Sequence, residues 1–308
     1  MGMTKCADVQ PFADMRTTVK MITVAKAYLA LTKPRIMLFL LFTAYCAMIV
    51  AAGGMPDLRV TFAGLGGLAL SAGGSAAVNM WYDRDIDALM ERTVNRPIPA
   101  GLVRSWHALA IGVGLGLLSV LVLDIWCNGM AAILSLAGYL YYAVVYTIWL
   151  KRRTPQNIVI GGGAGAFPPL VGWAAVTGHQ SVAAWVMFAV IFLWTPAHFW
   201  ALALYKNADY IRACVPMMPV VRGSRTTKRQ MVMYTVLLVV ASWLLAASVH
   251  LALCYIIAAT AIGVLFLKST IALLRAREDE NTFAKRTFRM SLIYLPVLFA
   301  VMVVCVLA

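Results

Sequence analysis

Residues 61–87 read Thr61-Phe-Ala-Gly-Leu-Gly-Gly-Leu-Ala-Leu-Ser-Ala-Gly-Gly-Ser-Ala-Ala-Val-Asn79-Met-Trp-Tyr-Asp83-Arg-Asp85-Ile-Asp87. The eighteen positions from Thr61 to Val78 are apolar or small and carry no charge, and a few residues on three carboxylates arrive within five positions. If the helix continues, Asn79, Asp83 and Asp87 stand at i, i+4 and i+8 and share one face. Two carboxylates and an amide oxygen suit Mg²⁺, which takes a few protein oxygens and completes its shell with water and phosphate. Arg84, Arg92, Arg96 and Arg104 follow at once. Acid for a metal beside base for phosphate is the layout of a diphosphate site. The plainer reading, a solvated cap on an apolar helix, leaves unexplained why ionisable groups stand at a membrane edge, where they are costly unless used.

Working outward, the whole chain is of this apolar kind. Its 308 residues are 62% hydrophobic and 12% charged, with mean hydropathy +0.83; soluble domains carry about 25% charged residues. The expected class is an all-α polytopic membrane protein. Apolar runs at 36–53, 60–80, 106–124, 130–149, 157–176, 182–205, 230–249, 251–268 and 289–307 are each long enough to cross a bilayer. They form one nine-helix transmembrane domain, 36–308, behind a basic segment, 1–35. The boundary near His250 is the least defined.

The formal charge of +14 does not indicate nucleic acid, because the basic residues are spread through short loops. Six lie in the N-terminal segment, four at 84–104, three at 151–153, six at 206–229 and six at 268–289, leaving only Arg59 for the other side. The positive-inside rule then puts the N-terminus in the cytoplasm and the C-terminus outside, as nine crossings require. No cleavable signal pattern opens the chain, and Asp8 and Asp14 count against a mitochondrial transit peptide. A bacterial cytoplasmic membrane is expected. Six scattered cysteines contain no CxxC pair, so no zinc site is indicated.

Further polar groups fall on the basic side. After helix 6 comes His198-Phe-Trp-Ala-Leu-Ala-Leu-Tyr205-Lys206-Asn-Ala-Asp209, where positions 198, 202, 205 and 209 would share a helical face. Tyr205…Asp209 repeats the spacing of Asn79…Asp83 four helices later, which suggests two four-helix halves, one extra helix and a site between the halves. Arg92 and Arg96, at i and i+4, offer planar forks for phosphate oxygens. Lys151, Arg152 and Arg153 are further diphosphate candidates, as is Arg35 at the end of the lead-in. Asn157 reads as either a packing amide or a substrate contact. His198, about 10 Å short of the inner end of helix 6, needs a partner, either across a helix interface or in a substrate such as a metalloporphyrin. Gly161-Gly-Gly-Ala-Gly165 lacks the Gly-Lys-Ser/Thr ending of a phosphate loop and reads as a small-residue helix contact, like Gly112, Gly114 and Gly116. Pro168 and Pro169 are expected to break helix 5.

Taken together, these segments resemble the UbiA-type intramembrane prenyltransferases, and most of all the haem-prenylating branch of that superfamily. The resemblance rests on Asn79-x-x-x-Asp83-x-x-x-Asp87, Thr32-Lys-Pro-Arg35, Asn95-Arg-Pro-Ile-Pro-Ala-Gly101 and Tyr146-Thr-x-x-Leu-Lys-Arg152. Gly161-Gly-x-x-Gly-Ala-x-Pro-Pro-Leu-x-Gly172, Trp194-Thr-Pro-x-His-Phe-Trp200 and Val215-Pro-Met-Met-Pro-Val220 add to it. It runs from about residue 30 to the end. One departure stands out: the superfamily's second Asp-x-x-x-Asp reads Tyr205-Lys206-Asn-Ala-Asp209 here, as in the haem branch. A second Mg²⁺ at Asp209 is therefore in question.

The resemblance implies transfer of the farnesyl group of farnesyl diphosphate to a vinyl group of haem b, giving haem O. It also implies Mg²⁺ at Asn79, Asp83 and Asp87 and haem orientation by His198. Trp81, Tyr82 and Trp194 are expected to shield the allylic cation, and haem A synthase and terminal-oxidase assembly are the implied partners besides membrane lipid. Two alternatives remain open. One is a prenyltransferase of the same fold acting on a quinone precursor or chlorophyllide. The other is a transporter, against which the acids at the membrane edge rather than its middle count.

Overall fold

The computed structural model describes residues 24–249, 251, 253–277 and 281–308. Residues 1–23 and the helix boundary at His250 lie outside them. Among the described residues nine helices are long and apolar enough to cross a membrane. They are α1 (Pro34–Ala52), α2 (Leu58–Tyr82), α3 (Ser105–Trp126), α4 (Gly129–Leu150), α5 (Asn157–Thr177), α6 (Val182–Tyr205), α7 (Met218–Val249), α8 (Leu253–Arg275) and α9 (Asn281–Leu307). Leu117, Leu121, Ile125, Ile133, Leu244, Ile257 and Val304 face outward. So wide an apolar exterior is untenable in water and natural against lipid. The chain is an integral membrane protein of all-α class.

The expected runs at 230–249, 251–268 and 289–307 are too short. α7 begins at Met218, with a non-helical joint at Gly223 (φ 79), α8 continues to Arg275 and α9 starts at Asn281. Hydropathy marks only the part of a helix in hydrocarbon. The hydrogen-bonded ladder needs no apolar side chain and carries on beyond it. Lys228, buried on α7, donates to the Ala276 carbonyl at 3.0 Å and so caps the end of α8. Ahead of α1, a short helix at Val24–Leu31 turns Ala27 and Leu31 onto Ala77, Met80, Val103 and Ala108. The lead-in is thus partly ordered against the bundle.

The helices close on themselves. α2 packs on α3, α3 on α4 and α4 on α5, with α2 also meeting α4 and α5; α6, α7, α8 and α9 repeat that order, with α9 returning to α6. α5 meets α6, and α1 packs on α5 and α9 to complete the ring. At the α2–α3 crossing, a Cβ on Gly74 would stand 2.6 Å from the Gly112 carbonyl oxygen, so these backbones touch only because neither has a side chain. Gly116 packs on Tyr139, but Gly114 is exposed with open space beside it, contrary to the expectation for all three. α5 breaks in a 3₁₀ stretch at Gly162–Ala166; Pro168 and Pro169 come just after it, in the first turn of the segment Phe167–Thr177. Prolines belong there, since first-turn N–H groups have no helical acceptor to lose. The second half of α4, Tyr141–Leu150, is π-helical.

Candidate active site

α2 delivers the acidic cluster as its spacing promised. The amide of Asp83 bonds to the Asn79 carbonyl (2.9 Å) and that of Asp87 to the Asp83 carbonyl (2.8 Å), so the i→i−4 pattern survives the end of α2 and passes into the short helix Arg84–Asp87. Asn79 (2% exposed), Asp83 (0%) and Asp87 (1%) are all buried, whereas Asp85 is exposed. Asn79 Nδ2 donates to Asp83 Oδ2 at 2.7 Å and to Thr147 Oγ1 at 3.1 Å. Asp83 Oδ1 is buried without a hydrogen-bond partner; its nearest cation is Arg152, at 3.6 Å. A fully buried carboxylate with an unmet acceptor is what a divalent cation satisfies, so the donor set fits one. Among the described residues no three His, Cys, Asp or Glu side chains gather as a metal site; the donors offered here are two carboxylates and an amide.

Four cations surround this cluster, three of them paired with its acids. Arg96 donates through one nitrogen to both oxygens of Asp87, at 2.9 and 2.7 Å. Lys151 pairs with Asp83 Oδ2. Arg152 grips Asp85 with two nitrogens at 2.7 and 2.6 Å and lies 4.7 Å above the Tyr82 ring. Although partial burial works the other way, these Arg152 bonds hold the Asp85 carboxyl below its usual range. The fourth is Lys33, which the sequence did not single out. Its backbone is left-handed (φ 52, ψ 59), and its Nζ donates to Asn79 Oδ1 at 2.7 Å and Tyr142 Oη at 3.1 Å. Burial, with the charges of Arg96 and Lys151 nearby, pushes the Lys33 ammonium well below the ordinary lysine range, while Asp83 and Asp87 oppose that.

The π-helical stretch explains how Tyr142, Thr147 and Lys151 reach one place. Nine residues of α-helix make 2.5 turns, which would set Lys151 opposite Tyr142. The wider π turn, with bonds such as Lys151 N–H to the Tyr146 carbonyl at 2.9 Å, makes that step about two turns. Tyr142 and Tyr146 stack at 5.5 Å beside the cluster.

A model of the UbiA prenyltransferase family matches residues 40–293. The chain belongs to the UbiA prenyltransferase family. It is 51% identical over 291 residues to the Protoheme IX farnesyltransferase of Symbiobacterium thermophilum, covering 94% of this chain and 97% of that one. Two solved folds are similar at 17% identity. One, from work on digeranylgeranylglyceryl phosphate synthase, has TM-score 0.76 and covers 92% of this chain and 98% of its own. The other is a UbiA homologue from Archaeoglobus fulgidus bound to DMAPP and Mg²⁺, with TM-score 0.60, covering 90% and 99%.

Not every expected residue joins this UbiA-type cluster. Arg35 and Arg153 are exposed and, among the described residues, make no ion pair. Residues 88–104 form turns rather than a helix, so Arg92 and Arg96 do not share a helical face. Arg96 enters the cluster, while Arg92 stays exposed, its charge within range of Tyr142, Tyr146 and Tyr205. Asn157 is fully buried and its amide donates to the carbonyls of Lys151 (3.3 Å) and Pro216 (3.5 Å), a brace behind Lys151. The Trp81 and Tyr82 faces are occupied by Arg84 and Arg152.

The second polar motif of the UbiA-type fold is arranged differently from the first. α6 ends at Tyr205, Lys206 leaves helical geometry (φ −113, ψ 25), and Asp209 belongs to a separate short helix, Asn207–Arg212. The face expected to run from His198 to Asp209 is therefore broken at Lys206. Asp209 is buried and lies 3.7 Å from Arg212, and Lys206 reaches Glu91 at 3.7 Å. His198, on α6, is sandwiched between Trp194 (4.3 Å) and Phe288 (4.7 Å), with its Nδ1 2.8 Å from Ser291 Oγ on α9. Ser291 gives its own hydrogen to the Phe288 carbonyl at 2.7 Å. Nδ1 must therefore donate to Ser291, and in the neutral imidazole Nε2 is left as the bare nitrogen.

Proposed function

We propose that this chain joins farnesyl diphosphate to a vinyl group of haem b, with addition of water, giving haem O and diphosphate. What carries the reading is the buried Asp83–Asp87 pair, ringed by Lys33, Arg96, Lys151 and Arg152, in a chain half identical along its length to a Protoheme IX farnesyltransferase. Allylic C–O cleavage concentrates negative charge on the departing diphosphate. Lys33, Arg96, Lys151 and Arg152 are fixed where they can neutralise it, needing little rearrangement as it develops. Mg²⁺ held by Asn79, Asp83 and Asp87 would add charge neutralisation of the diphosphate oxygens, in keeping with the Archaeoglobus homologue bound to DMAPP and Mg²⁺. The basic, exposed Arg92, with Arg35 and Arg153 further out, draws the anion in.

The allylic cation faces the stacked Tyr142–Tyr146 pair, whose rings attract positive charge, and the helix ring keeps water from reaching it early. The vinyl π electrons form the new C–C bond, and water then attacks the resulting carbocation and releases a proton. His198 presents the bare Nε2 to haem, through its iron or an edge, while Trp194 and Phe288 hold the ring. Asn157 keeps Lys151 in place, and Tyr205, Lys206 and Asp209 line the second half of the site. The basic end of the bundle faces the cytoplasm of a bacterial inner membrane, and the product passes to haem A synthase and terminal-oxidase assembly.

Mass spectrometry of haem extracted after incubating purified protein with haem b, farnesyl diphosphate and Mg²⁺ tests this. The expected result is a species heavier by a farnesyl group and a hydroxyl group, lost in Asp83→Ala. Prenylation of a quinone-type acceptor but not of haem would keep the site and overturn the acceptor.

A further inference from the structure

At the end of the bundle away from the diphosphate site, Cys254 in the first turn of α8 and Cys305 in the last turn of α9 hold their sulfurs 3.2 Å apart. Both are free thiols, and Cys254 is exposed. Fifty-one positions separate them in sequence, so their meeting is a product of the fold. α8 and α9 pack along their length, and deeper contacts such as Phe266 on Tyr294, at 5.4 Å, fix their register. Tyr255 and Met302, both fully buried, anchor the same two helix ends. The thiols are therefore held as neighbours, and bonding asks the sulfurs to approach by only about 1.2 Å, to a disulfide length of roughly 2.05 Å.

We propose that Cys254 and Cys305 form a disulfide that ties α8 to α9 on the outer face of the membrane. The two thiols lose two protons and two electrons as one S–S bond forms; both pass to the disulfide of a thioredoxin-like oxidase, which becomes a dithiol, or to dioxygen, which becomes hydrogen peroxide. The proposal rests on the orientation given above. This end carries only Arg59 of the 26 basic residues and so lies outside the cytoplasm, where disulfides form and persist. α8 and α9 are already joined at the basic end, between Arg275 and Asn281, so the bond closes a loop and restricts the unfolded chain. It also secures α9, the helix that brings Phe288 and Ser291 to His198.

A variant retaining only Cys254 and Cys305 tests this. Intact cells are treated with a membrane-impermeant maleimide, the membranes are then reduced, and a mass-tagged maleimide is added. The expected result is no labelling in the first step and two tags after reduction. Consumption of both thiols in the first step would overturn the disulfide. Thiols protected in intact cells but reactive after lysis without reduction would overturn the orientation instead. Reduction of this purified two-cysteine variant should lower its unfolding temperature to that of the same variant carrying Cys254→Ser, on which reductant has no further effect; no shift on reduction would remove the clamp.

Discussion

Lys33 occupies a left-handed backbone conformation that costs a non-glycine residue about 1–3 kcal/mol, directly before Pro34. The strain aims its ammonium at Asn79 and Tyr142, away from the solvent that the neighbouring Arg35 faces. A charge-assisted hydrogen bond is worth about 1.5–3 kcal/mol, so Lys33→Met should cut farnesyl transfer roughly 10- to 100-fold, while Arg35→Ala changes it less than about threefold. Steady-state turnover against farnesyl diphosphate decides between them; equal losses would erase the distinction. His198 yields a second prediction. Removing the acceptor of its Nδ1–H by Ser291→Ala should weaken haem b binding roughly 2- to 10-fold, and His198→Ala more so, with farnesyl diphosphate affinity unchanged in both. Haem titration followed by absorbance reads this, and an unaltered Ser291→Ala titration would leave the histidine a packing residue. Asp83 and Asp87 could be read from sequence because a helix turns an i+4 spacing into a shared face. Lys33 could not, because it meets Asn79 across 46 residues.

The helices show where periodicity suffices and where it fails. Hydropathy located all nine spans, yet nothing in Tyr141–Leu150 announced a π-helix, since its residues suit an α-helix as well. That local widening gathers Tyr142, Thr147 and Lys151 at Asn79 and Asp83. Among the small residues, contact rather than composition separates Gly112 from Gly114. A side chain at Gly112 meets Val78 and the Gly74 carbonyl oxygen within 3 Å, while one at Gly114 meets nothing within 4 Å. Gly112→Val should therefore destabilise the bundle by about 1–3 kcal/mol and Gly114→Val hardly at all. Thermal unfolding in detergent would compare the two, and similar midpoints would contradict the crossing.

At the scale of the molecule, charge and apolarity are sorted along one axis. The basic loops, the buried carboxylates and their cations share one end; the other has Arg59 and the paired thiols. Buried ion pairs gain little stability over apolar packing, so their place at the mouth of the bundle accords with the proposed role of receiving an anionic substrate. Reporter fusions test the orientation: alkaline phosphatase joined after Ala308 should be active and one joined within 154–156 inactive. The reverse pattern would turn the protein over in the membrane.

The sequence by itself determined the class, the nine spans, the gathering of the basic residues into alternate loops and the Asn79–Asp83–Asp87 face, because each is written in composition or in spacings shorter than three helical turns. Tertiary structure alone decided that Lys33 joins the cluster, that Arg96 rather than Arg92 pairs with Asp87 while Arg35 and Arg153 stay outside, and that Asp209 leaves the His198 face. It also decided that His198 meets Ser291 and that Cys254 meets Cys305. These pairings depend on helix rotation, π and 3₁₀ turns and broken helix ends, which arise from packing between segments distant in the chain and leave no local period to read.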